Sequence, residues 1–152
     1  MKEDIISIYN KYYSTIFKVS FLLLKNKDDA ADITQTTFIK LLESNTTFEN
    51  DTHIKAWLIK TCTNLSKNFL VHWSRKNCSI DTVSETFLSS QVKSSDLVNS
   101  VFSLPTKYKI AIYLYYYEGY NSMEIAKILN RKPSTIRSQL KKGRDLLKRK
   151  LQ

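Results

Sequence analysis

Apolar residues recur every three or four positions from Asp4 to Leu24, at Ile5, Ile8, Tyr9, Tyr12, Ile16, Val19 and Leu23. That period is helical, and these positions form the predicted inward face of a first helix. Asn26 to Asp28 is a polar break. Asp29 to Glu43 resumes the helical pattern with Ile33, Phe38, Leu41 and Leu42. Ser44 to Thr52 is polar and reads as a loop. His53 to about Trp73 is a third helix, carrying Trp57, Leu58, Cys62, Leu65, Phe69 and Trp73. From Ser74 to about Ser95 the chain is rich in Ser and weakly periodic, the signature of a linker with at most a short helical piece. Helical patterning returns at Asp96 to Phe102, Pro105 to Tyr117, Ser122 to Leu129, and Ser134 to the end. No stretch alternates as a half-buried strand does. The prediction is an all-α chain of two small helical domains joined by a flexible linker, with bounds 1–76, 77–95 and 96–152. Trp57 and Leu58 are expected in the core, and Tyr115, Tyr116 and Tyr117 in helix packing.

Composition agrees with helices. The 152 residues include only two Gly and two Pro, which disfavours a turn-rich β fold. The charge is more informative in its distribution than in its total of +10. From Leu104 onward there are twelve Lys and Arg against three acids; before it, twelve against eleven. A basic excess confined to one end is the electrostatic footprint of a polyanion, because Lys and Arg release counterions condensed on phosphates. A solvated basic tail and a membrane-surface helix are the rival readings.

Little else in the chain offers chemistry. Cys62 and Cys78 form no CxxC pattern, and His53 and His72 are isolated, so neither a metal site nor a cofactor is expected. Asp28, Asp29 and Asp32 are the only acidic cluster, and no Gly-rich phosphate loop or nucleophile–base arrangement accompanies them, so an enzyme is not expected. The aliphatic-rich run Phe21 to Leu24 is far too short to span a bilayer. The amphipathic N-terminus is unlike a signal peptide. A cytoplasmic location without membrane insertion is expected.

The clearest local signal lies between Asn121 and Lys150. Asn121 followed by Glu124 is a capping-box pair. Ile125, Ala126, Ile128 and Leu129 then make an apolar face, with small Ala126 where a second helix can approach. Asn130 tolerates the left-handed conformation of a tight turn, Pro133 cannot continue the first helix, and Ser134 or Pro133 opens the second. Ile136, Leu140, Leu147 and Leu151 form the predicted inward stripe of that second helix. This is a helix-turn-helix with a basic second helix. Ser134, Thr135, Arg137, Ser138, Gln139 and Lys141 are residue types that reach base edges and phosphates: Arg pairs with guanine and Gln with adenine. Lys142, Arg144, Lys148, Arg149 and Lys150 suit phosphate binding that does not read sequence, and Lys132 precedes them in the turn.

The ordered motifs add a family resemblance. Asp29-Ala30-Ala31-Asp32-Ile33-Thr34-Gln35-Thr36-Thr37-Phe38 is followed by Ala56-Trp57-Leu58 and Asn64-Leu65. Ser103-Leu104-Pro105, Tyr116-Tyr117-Glu118-Gly119-Tyr120, Glu124-Ile125-Ala126 and Ser134-Thr135-Ile136-Arg137-Ser138 come next. In this order and spacing the chain resembles the sigma-70 family, specifically the small extracytoplasmic-function group with only regions 2 and 4. The resemblance covers nearly the whole chain except the Ser-rich linker.

That resemblance implies a factor that binds core RNA polymerase and directs it to promoter DNA. It makes Asp29, Asp32, Gln35 and Thr36 polymerase-contact candidates. It places Lys55, Asn64, Lys67, Asn68 and His72 toward the minus-10 element, with the loop at Ser44 to Thr52 taking a flipped-out base. Residues 55–76 hold five Lys and Arg and no acid, which suits single-strand contact. The minus-35 candidates are Lys132, Ser134, Thr135, Arg137, Ser138, Gln139, Lys141, Lys142 and Arg144. An anti-sigma factor is a further partner that the resemblance brings. The chain departs from the family pattern at Ala31, where an acid is usual, at Asn68 and Val71, where Asp and Arg are frequent, and at Gln139, where Arg is frequent. Asn130 and Ser134 stand where Gly is common. A stand-alone helix-turn-helix regulator with a sensor or dimerisation lobe is the alternative. It would bind a duplex palindrome without polymerase.

Overall fold

A computed structural model describes the backbone of residues 2–76 and 96–151 and the side chains of residues 4–73 and 99–151. All the regular elements among the described residues are helices, and no strand occurs among them. The chain divides into two compact units, Met1–Asp81 and Thr82–Gln152. The predicted linker at 77–95 lies outside the described residues.

The first unit packs three helices, α1 (Lys2–Leu24), α2 (Lys27–Glu43) and α3 (Asp51–Lys76), each against the other two. The break between α1 and α2 is shorter than the polar run Asn26–Asp28 predicts, because two residues suffice. Lys25 takes a left-handed φ of 58° and its N–H reaches back to the Phe21 carbonyl at 2.8 Å. Asn26 then caps α2, its side-chain oxygen accepting the Asp29 N–H at 3.0 Å. Asp28 and Asp29 fall in the first turn, where carboxylates complement the helix dipole. The loop before α3 also ends earlier than expected. Asn50 accepts the His53 N–H at 2.9 Å, so the helix begins at Asp51.

Tyr12, Ile16, Val19 and Leu23 of α1 pack with Phe38 and Leu41 of α2 and Leu58, Ile59 and Cys62 of α3 to make the core. Tyr9 and Leu42, expected inside, are exposed, and Trp57 is half-buried. The centre of the unit is a polar seam of small side chains: Ser20, Thr34, Thr37, Cys62, Thr63 and Ser66, all buried. Thr34 and Thr37 donate to the carbonyls of Ala30 and Ile33 one turn back, both at 2.7 Å, which satisfies their hydroxyls within α2. Burial pushes the Cys62 thiol up to about 11.

The second unit holds α4 (Asp96–Phe102), α5 (Thr106–Ile112), α6 (Ser122–Leu129) and α7 (Pro133–Leu151), with α7 packed across the other three. The helix predicted over Pro105–Tyr117 is interrupted. It ends as an α-helix at Ile112 and continues as a π-helical turn, Tyr113–Tyr117, in which the Glu118 N–H donates to the Tyr113 carbonyl five residues back at 3.2 Å. Gly119 follows at φ +82°, a conformation that a side chain would strain. The turn corrects the expectation that Tyr115, Tyr116 and Tyr117 pack inside: they are 38%, 58% and 64% exposed.

The helix-turn-helix forms as the sequence predicts. Asn121 and Glu124 cap one another, at 2.8 Å from the Glu124 N–H and 2.9 Å from the Asn121 N–H. Asn130 sits at φ 55°, ψ 53°, and the Arg131 N–H closes the turn on the Ala126 carbonyl at 2.9 Å. Ile125, Ala126, Ile128 and Leu129 are all buried. The inward stripe of α7 differs from the predicted one. Ile136, Leu140 and Gly143 are buried, Leu147 is half-buried, and Leu151 is exposed. Gly143 lies where α7 crosses α5. A Cβ built on it stands 2.8 Å from Cγ1 of Ile112, so glycine is what lets the helices meet.

Candidate nucleic-acid interface

With Ile136, Leu140 and Gly143 turned inward, the 3.6-residue period fixes what the rest of α7 presents. Ser134, Ser138 and Lys141 lie opposite the buried stripe and are exposed. Arg137, Lys141, Arg144 and Lys148 recur at intervals of four, three and four, which makes one exposed row of cations along a flank. Thr135 and Lys142 lie on the other flank, and Lys132 is exposed just before the helix. Gln139 is placed differently. It is half-buried, and its side-chain oxygen accepts from Nη1 of Arg131 at 3.1 Å. A guanidinium only donates, so this contact fixes which way the amide points and leaves its NH2 for any further partner. The pairing with adenine that a glutamine makes needs both ends.

In the first unit, Asn64, Lys67, Asn68, Val71 and His72 recur at helical spacing on one side of α3. All are exposed except half-buried Lys67. Lys55 is not brought to this face. At about 100° per residue it points to the side opposite Asn64. The loop leading into α3 holds an aromatic that sequence reasoning passed over. Phe48 meets Trp57 edge-on at 5.8 Å and His53 at 5.2 Å. The backbone N–H of Glu49 donates to Nδ1 of His53 at 3.3 Å, and Ser44 Oγ accepts the Thr46 N–H at 3.0 Å. The loop thereby closes on itself beside a cleft of about 510 Å³ lined by Ile8, Leu41, Thr46, Phe48, Asn50 and Ile54, among others. A lone aromatic in an otherwise polar loop was the available signal for it.

Along α2 one row is exposed throughout: Asp28, Asp32, Gln35, Ile39 and Leu42, spaced by four, three, four and three. The row joins Asp32 and Gln35 as expected. Asp29 and Thr36 lie to its side and are half-buried. Thr36 donates to the Asp32 carbonyl at 2.9 Å. Burial, with Asp32 and Asp28 nearby, raises the Asp29 carboxyl above the usual range. Ile39 and Leu42, 52% and 54% exposed, are the additions the sequence reasoning missed. Their signal was an excess of apolar positions over what one inward stripe needs.

Among the described residues no group of His, Cys, Asp or Glu is arranged to hold a metal ion. No helix among them is long and apolar enough to cross a membrane.

Comparison with known proteins gives matches over most of the chain. Residues 8–76 match the family Sigma-70 region 2, and residues 99–147 match Sigma-70, region 4. The RNA polymerase sigma factor SigV of Bacillus subtilis is 28% identical over 97% of this chain and 90% of its own length. The ECF RNA polymerase sigma-E factor of Haemophilus influenzae is 29% identical over 89% of this chain and 82% of its own. Among solved structures, the sigma factor RpoE of Bartonella quintana, crystallised with the anti-sigma factor NepR, superposes with a TM-score of 0.77. That alignment covers 98% of this chain and 97% of RpoE at 18% identity, a likeness of fold.

Proposed function

The chain belongs to the extracytoplasmic-function group of the sigma-70 family, and we propose how its two units divide the work of an RNA polymerase sigma factor. Residues 1–76 act as region 2, 77–95 as the linker, and 96–152 as region 4. The row Asp32, Gln35, Ile39 and Leu42 on α2 docks on core polymerase: two polar and two apolar side chains on one helical row suit a reversible protein interface. Asn64, Lys67, Asn68 and His72 on α3, with the loop that carries Phe48, take the minus-10 element as a separated strand. Aromatic and cationic groups side by side suit single-stranded DNA. Capture of a base offsets its unstacking by binding free energy, so strand separation needs no hydrolysis and no catalytic residue. The helix α7 lies in the major groove of the minus-35 element, with Ser134, Thr135, Arg137, Ser138 and Lys141 toward bases and Lys132, Lys142 and Arg144 toward phosphates. The protein works where polymerase does, in the cytoplasm. An anti-sigma factor that covers α2 or α7 would silence it; the similar fold of RpoE was crystallised in complex with the anti-sigma factor NepR.

The observation that carries this reading is the exposed cationic row on the second helix of a fully capped helix-turn-helix. Run-off transcription from a library of host promoters tests it. Core polymerase with this protein initiates at a defined subset, and neither component does so alone. No stimulation at any promoter, or tight palindromic duplex binding by a dimer of the protein without polymerase, refutes it.

A further inference from the structure

Three consecutive exposed tyrosines are costly to leave in water, and the fold goes out of its way to present them. In a continuous α-helix, Tyr115, Tyr116 and Tyr117 would spread over more than half the circumference, and one would turn inward. The π-helical turn prevents that. Its base is fixed from below, because Tyr113 stacks on Tyr117 at 5.0 Å and donates its hydroxyl to Oε2 of Glu118 at 2.9 Å. Tyr115 then props Tyr116 edge-on at 4.8 Å. The hydroxyl of Tyr116 reaches the basic helix, where Nη1 of Arg144 donates to it at 3.2 Å.

The chemistry of that contact is one-directional. A guanidinium carries five N–H donors and no acceptor, so the tyrosine oxygen accepts and its own O–H stays available. Arg144 keeps further N–H groups as well. A ligand that satisfies both side chains must therefore be an acceptor, and an anionic one. Arg144 is the third member of the row Arg137, Lys141, Arg144 and Lys148, so the anion continues the line of charge that runs along this flank of α7. A polymeric phosphate backbone meets such a line at successive points, which a single carboxylate on a protein partner does not.

We propose that Tyr116 and Arg144 form one phosphate site on the DNA backbone flanking the minus-35 element. Tyr116 is a direct contact and also the residue that holds the Arg144 guanidinium in place. The proposal rests on the second unit reading the minus-35 element.

The test uses holoenzyme, core polymerase with the full chain, on promoter DNA carrying single methylphosphonate substitutions across the minus-35 region. Wild-type holoenzyme loses about tenfold in affinity at one flanking phosphate, the worth of a charge-assisted contact. Tyr116→Phe keeps the ring, weakens binding to unmodified DNA several-fold and loses most of its sensitivity at that same phosphate. Its salt dependence is unchanged, since the lost donor is neutral. Arg144→Ala loses the same sensitivity and lowers the salt slope by about one ion. Arg144→Lys keeps the slope but no longer depends on Tyr116. The proposal fails if Tyr116→Phe retains wild-type sensitivity at every phosphate. It also fails if Tyr116→Phe weakens binding to core polymerase without DNA, which would make the tyrosines a protein contact. A wild-type holoenzyme insensitive throughout the minus-35 region would instead overturn the reading of the second unit itself.

Discussion

Replacing Gly143 with alanine pits two known effects of opposite sign against each other. In the interior of an exposed helix the change stabilises by about 1 kcal/mol, since alanine is the best helix former and glycine among the worst. Gly143 is buried at the crossing of α7 and α5, however, and the new methyl would stand 2.8 Å from Cγ1 and 3.1 Å from Cδ1 of Ile112, with Cβ of Tyr108 at 3.5 Å. Carbon atoms prefer about 3.5–4.0 Å, so Ile112 or α7 must move by roughly 0.7 Å or more. Ile112 is itself only 4% exposed and has little room to retreat. Overpacking of this kind costs about 1–3 kcal/mol, so the net effect is a loss of about 1 kcal/mol in the second unit. Gly143→Val, with a larger and β-branched side chain, loses about 3 kcal/mol. The two units can be read separately, because both tryptophans, Trp57 and Trp73, lie in the first. Urea titration of the full chain by tryptophan fluorescence leaves the first unit's transition where it was. Far-UV circular dichroism shows the second unit's transition moved to lower denaturant. Stabilisation of the second unit by Gly143→Ala would refute the steric argument and return Gly143 to a matter of helix propensity.

Three further changes probe the core of the first unit and the cationic row of the second. With the Cys62 thiol at about 11 against an ordinary 9.0, the folded state favours the protonated form. The stabilisation is therefore whole below pH 9 and is lost as pH rises from 9 to 11, by up to about 3 kcal/mol. In a Cys78→Ser background, pH-dependent urea titration followed by tryptophan fluorescence should show that fall and Cys62→Ala should flatten it; equal slopes in the two proteins would contradict it. On the row, Arg137→Ala should weaken holoenzyme binding mainly at one minus-35 base pair, by about 1–3 kcal/mol, whereas Lys148→Ala should weaken all sequences alike and lower the salt slope by about one. Equal effects on every sequence would remove the division between the reading and anchoring ends of α7.

Helix-scale features were legible in the sequence because they are local. The capping box at Asn121 and Glu124, the left-handed Asn130 and Pro133 act within a few residues of themselves, and each formed as its type dictates. Departures arose where a neighbouring helix decides. Leu151 has an inward position by period, but the buried stripe ends at half-buried Leu147, beyond which it is exposed. Gly143 reads as a weak point in a helix until Ile112 is known to lie against it. The π-helical turn is the clearest case. Five aromatic-rich residues in a row look like packing, and the register of one hydrogen bond, from Glu118 to Tyr113, keeps the last three together on the outside. At the candidate site, the residue types on α7 were readable, whereas the engagement of Gln139 by Arg131 was not, because it joins positions on either side of the turn.

The separation of charge between the units bears on how the protein finds a promoter. In the proposed division the phosphate contacts of the second unit's cationic row attract any duplex, and that share of the binding is weakened by salt and carries no sequence information. The face of α3 engages only a separated strand, which its own capture of a base helps to open, and it carries fewer charges. Neither surface selects a start site by itself. Joined in one chain and held on polymerase, each binding event raises the effective concentration for the other, to the millimolar range for short connections, so two modest contacts act as one selective contact. On this logic the polar and apolar row on α2 is the determinant that matters first. If that row docks on polymerase as proposed, a chain with Ile39 and Leu42 replaced keeps its basic helix and still chooses no promoter.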